Sequence, residues 1–431
     1  MGDLVLKKQT LSSKTLTLDT LVELSLEPKN KDVDDYPDGG LAAWCVVLGS
    51  TCAICATFGL VNSWGVFQSY YERVLLPETK TSTVAWIGSV QYALVFLPGL
   101  LAGRLCDLGY FKQTLFISSV ILVVATVATA ECKEFWQLLL CQGFLTGFSC
   151  GMIFGPLPTI TSHWFKKRRS LAFGISATGS SLGGAIIPIA SSHLIDLVGF
   201  KWAMRIIALI VFFLLAVANL TLRRRIDPPK HPGPFFAWHD FRKPAFNVFV
   251  SAGIINFLGL YTLLTYIDLS AIAVGIPPEF SFYLLSITNA ASGFGRIASG
   301  RLGDKLGALN VSAPLTLVCA IMTYAWPFAT TKGSLIAVGV IYGFCSGAYV
   351  TLLPAPLMAM GDMHDAGRRT GIAMTGIALG AVAGPPISGA IIQATDGFKV
   401  VGYFAGSCIV GAVALLYITK YLMFGTLRGR F

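Results

Sequence analysis

Gly103–Gly109 reads GRLCDLG, and Gly300–Gly307 reads GRLGDKLG. GFLTG at Gly143–Gly147 returns as GFCSG at Gly343–Gly347, PLP at Pro156–Pro158 as PAP at Pro354–Pro356, and RRS at Arg168–Ser170 as RRT at Arg368–Thr370. The four pairs keep their order at an offset of about 200 residues, the mark of an internal duplication. In an apolar chain this predicts two homologous membrane halves that rock about a central site.

The composition agrees. The 431 residues are 54% hydrophobic and 13% charged, with 45 glycines, which excludes a soluble globular domain. Twelve apolar stretches approach or exceed the roughly 20 residues that a helix needs to cross a bilayer. They lie near 41–71, 83–104, 111–130, 134–161, 170–195, 202–222, 245–274, 279–300, 311–330, 333–360, 370–395 and 398–424. The expected fold is an all-α integral membrane protein of twelve helices, in two six-helix bundles related by pseudo-two-fold symmetry. Its predicted parts are a disordered cytosolic tail (1–40), an N-terminal bundle (41–222), a cytosolic linker (223–244), a C-terminal bundle (245–424) and a short cytosolic tail (425–431).

Lysine and arginine concentrate in the loops after the even-numbered spans, as at Lys166–Arg169, Arg223–Arg225 and Arg368–Arg369. The positive-inside rule then predicts both chain ends in the cytosol, with the plasma membrane as the expected location. The net charge of +10 follows from this asymmetry and from contact with anionic lipid, so it does not argue for nucleic acid. Residues 1–40 lack the apolar core of a signal peptide. The ten cysteines show no metal or paired spacing and read as small apolar residues. The sequons at Asn219 and Asn310 fall on the predicted cytosolic side, so no glycosylation is expected.

Asp38–Gly40 (DGG), Trp44 and the run NSWGVFQSYY at Asn62–Tyr71, with GPPISG at Gly384–Gly389, resemble the monocarboxylate-porter family of the major facilitator superfamily, its fungal branch above all. The resemblance covers nearly all of 36–424 and implies twelve helices, cytosolic termini and secondary transport without ATP. Animal carriers of lactate or pyruvate place a lysine late in the first span and an Asp–Arg pair in the eighth. Here Asn62 stands at the lysine position, Arg296 matches the arginine, and Ser292 stands where the aspartate would be. A larger or uncharged solute is therefore open beside a small monocarboxylate.

Candidate site residues follow from these spans. Asn289, Ser292, Gly293, Arg296 and Gly300 share one helical stripe, a polar face expected toward the pore. A guanidinium within a span normally faces protein or a watery cavity. The alternative for Arg296 is snorkelling to lipid headgroups. Asn62 and Asn256 lie on corresponding spans of the two halves; each suits a solute or a neighbouring helix. Gln91, Tyr92, Tyr266 and Tyr349 are weaker binding candidates, and Asp268 is a candidate proton carrier or a vestibule acid.

Asp107 and Asp304 are expected in the turns after spans 2 and 8, each four residues beyond a glycine. A carboxylate there accepts from N–H groups at a helix start or pairs with Arg168, Arg169, Arg368 and Arg369. The expected role is gating; two solvated loop acids are the alternative. Glycines spaced by four at 143–155, at 179 and 183, and at 376–384 predict close helix packing, static or sliding.

The leading function is a secondary active transporter of a small organic solute, an organic acid or metabolite, working by alternating access. Export of a fungal secondary metabolite and a non-transporting nutrient sensor are the alternatives. Proton coupling and oligomeric state stay open, and no cofactor or metal is expected. The five histidines form no ligand cluster and no Walker loop occurs, so neither metal enzymology nor a self-contained ATP pump is expected. The chain ends about seven residues after the last span, which counts against a sensor with a long tail.

Overall fold

The computed structural model describes residues 36–228, 240–395 and 397–426. The predicted tails before 36 and after 426, the middle of the predicted linker, and His231 and His239 lie outside the described residues. Among those described, the regular structure is helix throughout, without a strand.

Ten helical runs among the described residues are long and apolar enough to cross a membrane. In chain order they are α1 (Gly40–Leu75), α2 (Thr81–Asp107), α3 (Phe111–Thr129), α4 (Phe135–Ser162), a run Arg169–Thr221, α7 (Pro244–Ala273), α9 (Ala308–Phe328), α10 (Lys332–Ala359), α11 (Met363–Thr395) and α12 (Lys399–Phe424). The run Arg169–Thr221 breaks at Gly199, whose φ of 76° and ψ of 163° suit a residue without Cβ. The break separates α5 (169–198) from α6 (200–221). The remaining helix, α8 (Pro278–Leu306), is less apolar because it carries Asn289, Ser292, Arg296, Arg301, Asp304 and Lys305. Such a helix persists at membrane depth when its polar stripe faces protein or a watery cavity. Among the described residues this makes twelve helices of spanning length, the number expected from the sequence.

Large apolar side chains ring the bundle: Phe213, Leu220 and Phe294 are 60%, 84% and 73% exposed. In water a surface of this kind would drive aggregation; in a bilayer it meets acyl chains.

The glycines spaced by four build seams inside each half. Gly147 and Gly151 of α4 press on the Gln91 and Leu94 carbonyls of α2, Gly179 and Gly183 of α5 on Thr51 and Cys55 of α1, and Gly380 and Gly384 of α11 on Ile254 and Leu258 of α7. A side chain at most of these positions would collide with backbone, which leaves packing by small residues as the adhesive.

The Asp38–Gly40 motif has a local purpose. Asp38 Oδ1 accepts from the N–H groups of Lys166 (2.7 Å), Lys167 (2.6 Å) and Arg168 (3.3 Å). Trp44 meets Phe165 edge to face at 5.2 Å. The start of α1 is thereby tied to the loop that launches α5.

Two boundaries differ from the sequence expectation. α8 runs through Leu306, so Asp304 sits on its last turns, and Asp107 is likewise the last residue of α2. The helix continues because carboxylates bound to a neighbouring helix need no solvent-exposed turn.

Candidate functional site

A cavity of about 1580 Å³ runs between the two halves. Its lining includes Arg73 near the end of α1, Trp86 near the start of α2, Asp196 near the end of α5, Asp268 near the end of α7 and Gln393 near the end of α11. It reaches inward to Pro158, Phe173, Pro354 and Met374. The cavity therefore opens on the face opposite to the one where α1 begins and α12 ends.

Seven of the sequence candidates line it: Asn62, Tyr92, Tyr266, Asp268, Asn289, Ser292 and Arg296. Arg296 lies ten residues before the end of α8, about 15 Å along the helix axis at 1.5 Å per residue. Its Nε donates to Ser292 Oγ at 3.3 Å. The side chain thus faces the cavity and not lipid. The acids lining the cavity, among the described residues, are Asp196 and Asp268, both at the mouth. The deep cavity is positive.

Asn62 and Asn289 converge from opposite halves on Gly184 of α5. Asn289 Nδ2 donates to the Gly184 carbonyl at 3.5 Å, and a Cβ on Gly184 would lie 2.6 Å from Asn62 Nδ2. Gly184→Val is expected to push both amides aside and to lower transport at least several-fold with unchanged membrane levels. Normal transport by that variant would show that the amide pair is dispensable.

Gln91, Asn256 and Tyr349 are placed elsewhere. Gln91 is 1% exposed and faces a small polar pocket with Gln142 and Thr146 inside the N-terminal half. Tyr71 at the π-helical end of α1 donates to Gln142 in the π-helical stretch of α4 beside that pocket. Asn256 is fully buried, and Tyr349 packs on Phe257 at 6.2 Å behind the cavity wall. Periodicity marks these as polar positions on a span; it does not say which neighbour they face.

The opposite face is closed by two equivalent seams between the halves. Asp107 of α2 accepts from Gly367 N (3.0 Å) and Arg368 N (2.7 Å) at the start of α11. Asp304 of α8 accepts from Ser170 N (2.8 Å) and Leu171 N (3.0 Å) at the start of α5. Each carboxylate thus meets the unsatisfied N–H groups and positive end of a helix in the other half. Of the two modes the sequence allows, capping of a helix start is the one both carboxylates display.

The arginines brace the same face. Arg169 Nε donates to the Phe165 carbonyl, Arg369 to the Leu357 and Asp362 carbonyls, and Arg368 pairs with Asp365 at 3.0 Å. Arg168 is exposed. Arg224, just after α6, donates to the Cys106 and Asp107 carbonyls. His163 at the end of α4 is 2% exposed. Burial, and then the nearby Arg224, His364 and Arg169, push its imidazole down to about 3, so it is neutral here.

Glycines let these seams close. A Cβ on Gly103 would overlap the Gly367 carbonyl, one on Gly371 the Gly99 carbonyl, one on Gly174 the Arg296 carbonyl and one on Gly300 that of Ser170. Thr375 of α11 donates to the Leu97 carbonyl and accepts from Leu100 N, bridging the turn opened by Pro98 in α2. Gly174, Gly371 and Thr375 carry no sequence signal beyond their residue type.

The chain matches the family described as Major Facilitator Superfamily over residues 41–364. It is 35% identical over 399 residues to the aspyridones efflux protein of Emericella nidulans, covering 92% of this chain and 81% of that one. The fujikurins efflux protein of Gibberella fujikuroi is 36% identical, with 88% and 83% covered. In architecture the chain is similar to the human organic anion transporter MFSD10 (TM-score 0.69, 14% identity, 90% and 100% covered). It is also similar to the transporter FucP in its outward conformation (TM-score 0.67, 16% identity, 87% and 98% covered).

Proposed function

Because the chain belongs to the Major Facilitator Superfamily and is a transporter of that type, we propose that it exports an amphipathic, acidic metabolite from the cytosol by alternating access. The observation that carries the reading is Arg296, a cation deep in a large cavity whose lining acids, among the described residues, stand at the mouth. A guanidinium so placed asks for an anionic or strongly electron-rich partner. The relatives named as efflux proteins support export of a secondary metabolite, the alternative the sequence left open, over transport of a generic small organic solute.

In this reading the structure is the state open to the outside. The seams at Asp107 and Asp304 form the closed cytosolic gate, consistent with the basic residues on that face. The Arg296 carbonyl packs on Gly174 in one of these seams while its side chain faces the cavity. One turn of α8 therefore touches both solute and gate, a short route for coupling occupancy to opening.

The test uses sealed inside-out plasma-membrane vesicles with and without the protein, loaded from a fungal culture extract and compared by untargeted mass spectrometry. Acidic amphipathic solutes are expected to accumulate several-fold with the protein and not with Arg296→Ala. A metabolite profile indifferent to the protein, or enriched only in neutral and cationic solutes, would overturn the reading.

A further inference from the structure

Six aromatic side chains form a continuous wall of the cavity that crosses from one half to the other. Phe58 of α1 meets Phe154 of α4 at 5.0 Å, and Phe154 meets Phe96 of α2 at 6.2 Å. Phe96 meets Phe257 of α7 at 6.0 Å, Phe257 meets Tyr261 at 5.4 Å, and Tyr261 meets Tyr92 of α2 at 5.5 Å. All five contacts are edge to face, with interplanar angles from 66° to 90°. All six residues line the cavity, and Phe58, Tyr92, Phe154 and Tyr261 keep part of their surface open to it. Tyr261 and Arg296 line the same cavity.

Aromatic rings carry negative faces and positive edges, so they reward a partner that alternates the same way. A wall of edge-to-face rings offers both, one beside the next. An aliphatic body would fill the same volume without that complementarity, and leucine would line a cavity for such a body equally well. Two of the contacts, Phe96–Phe257 and Tyr92–Tyr261, join the halves, so a ring docked there touches both moving bodies. The cation that lines the same cavity, Arg296, fixes where the charge of the solute sits.

We propose that the transported solute is a planar conjugated acid, its ring system seated on the Phe58–Tyr261 wall and its acidic group at Arg296. This rests on the export reading above and narrows its substrate class. It assigns Phe96, Tyr92, Phe257 and Tyr261 to solute selection.

The experiment compares three probes of like size on the purified, monodisperse protein in nanodiscs: 2-naphthoate, its saturated counterpart decahydro-2-naphthoate, and neutral 2-naphthylmethanol. Affinity is read by quenching of intrinsic tryptophan fluorescence and checked by thermal shift. 2-Naphthoate should bind at least tenfold more tightly than decahydro-2-naphthoate, which is about 1.4 kcal/mol. Phe257→Leu and Tyr261→Leu should each shrink that ratio while binding of the saturated acid persists. Tyr261→Phe, which keeps the ring, should preserve it and so separates ring loss from misfolding.

Equal affinity for the two acids, or a ratio unmoved by both leucine variants, overturns the aromatic assignment and leaves anion export standing. Binding of 2-naphthylmethanol as tight as that of 2-naphthoate, insensitive to Arg296→Ala, overturns the acidic-solute reading itself. Failure of 2-naphthoate to bind at millimolar concentration overturns the proposal.

Discussion

Arg296→Ala is expected to lower transport about a hundredfold at matched surface expression, the cost of removing one partner from a desolvated charge pair. Arg296→Lys should retain the charge yet still lose about tenfold, because an ammonium is a point donor and cannot reproduce the forked geometry of guanidinium on an acidic group. Both variants should fold, since the described side-chain hydrogen bond of Arg296 is a 3.3 Å contact to Ser292 and the seam beneath it uses the Arg296 carbonyl, which substitution leaves in place. Direct efflux measurements, with the amount of protein at the surface quantified in parallel, decide the matter. Full activity in both variants would return Arg296 to a structural role.

The second large effect belongs to the closed face. Gly103→Leu should hold it open, because the new side chain would occupy the space of the Gly367 backbone. Asp107→Asn and Asp304→Asn should loosen it more gently, each weakening an acceptor that now serves two N–H groups of a helix start. The reporter is Thr370→Cys, at a site that is fully buried in the seam, in a background without native cysteines. Maleimide labelling should rise about tenfold in the Asn variants, the effect of losing about 1.4 kcal/mol of closure, and further in Gly103→Leu with loss of transport. Labelling unchanged in all three would show that this face does not open.

The resemblance to monocarboxylate porters led to the superfamily, which the comparisons show, and not to the finer family. The relatives named as efflux proteins come from fungi, Emericella nidulans and Gibberella fujikuroi.

The sequence by itself determined the twelve helices, their grouping into halves and the equivalence of Asp107 with Asp304. Duplication writes those features in register, and apolar runs of spanning length have no other stable home. It also marked Arg296 and Asn62, because an intramembrane cation or amide stands out against an apolar background. Tertiary structure alone decided which polar residues reach the cavity. Asn289 meets Asn62 across Gly184, whereas Gln91, Asn256 and Tyr349 turn into the packing of their own half. The aromatic wall is likewise invisible in one dimension: Phe96 and Phe257 belong to different halves and touch only after folding. The reason is physical. Helical periodicity says which residues share a face, but lipid, protein interior and an aromatic cavity all accept apolar side chains, so hydrophobicity cannot tell those faces apart.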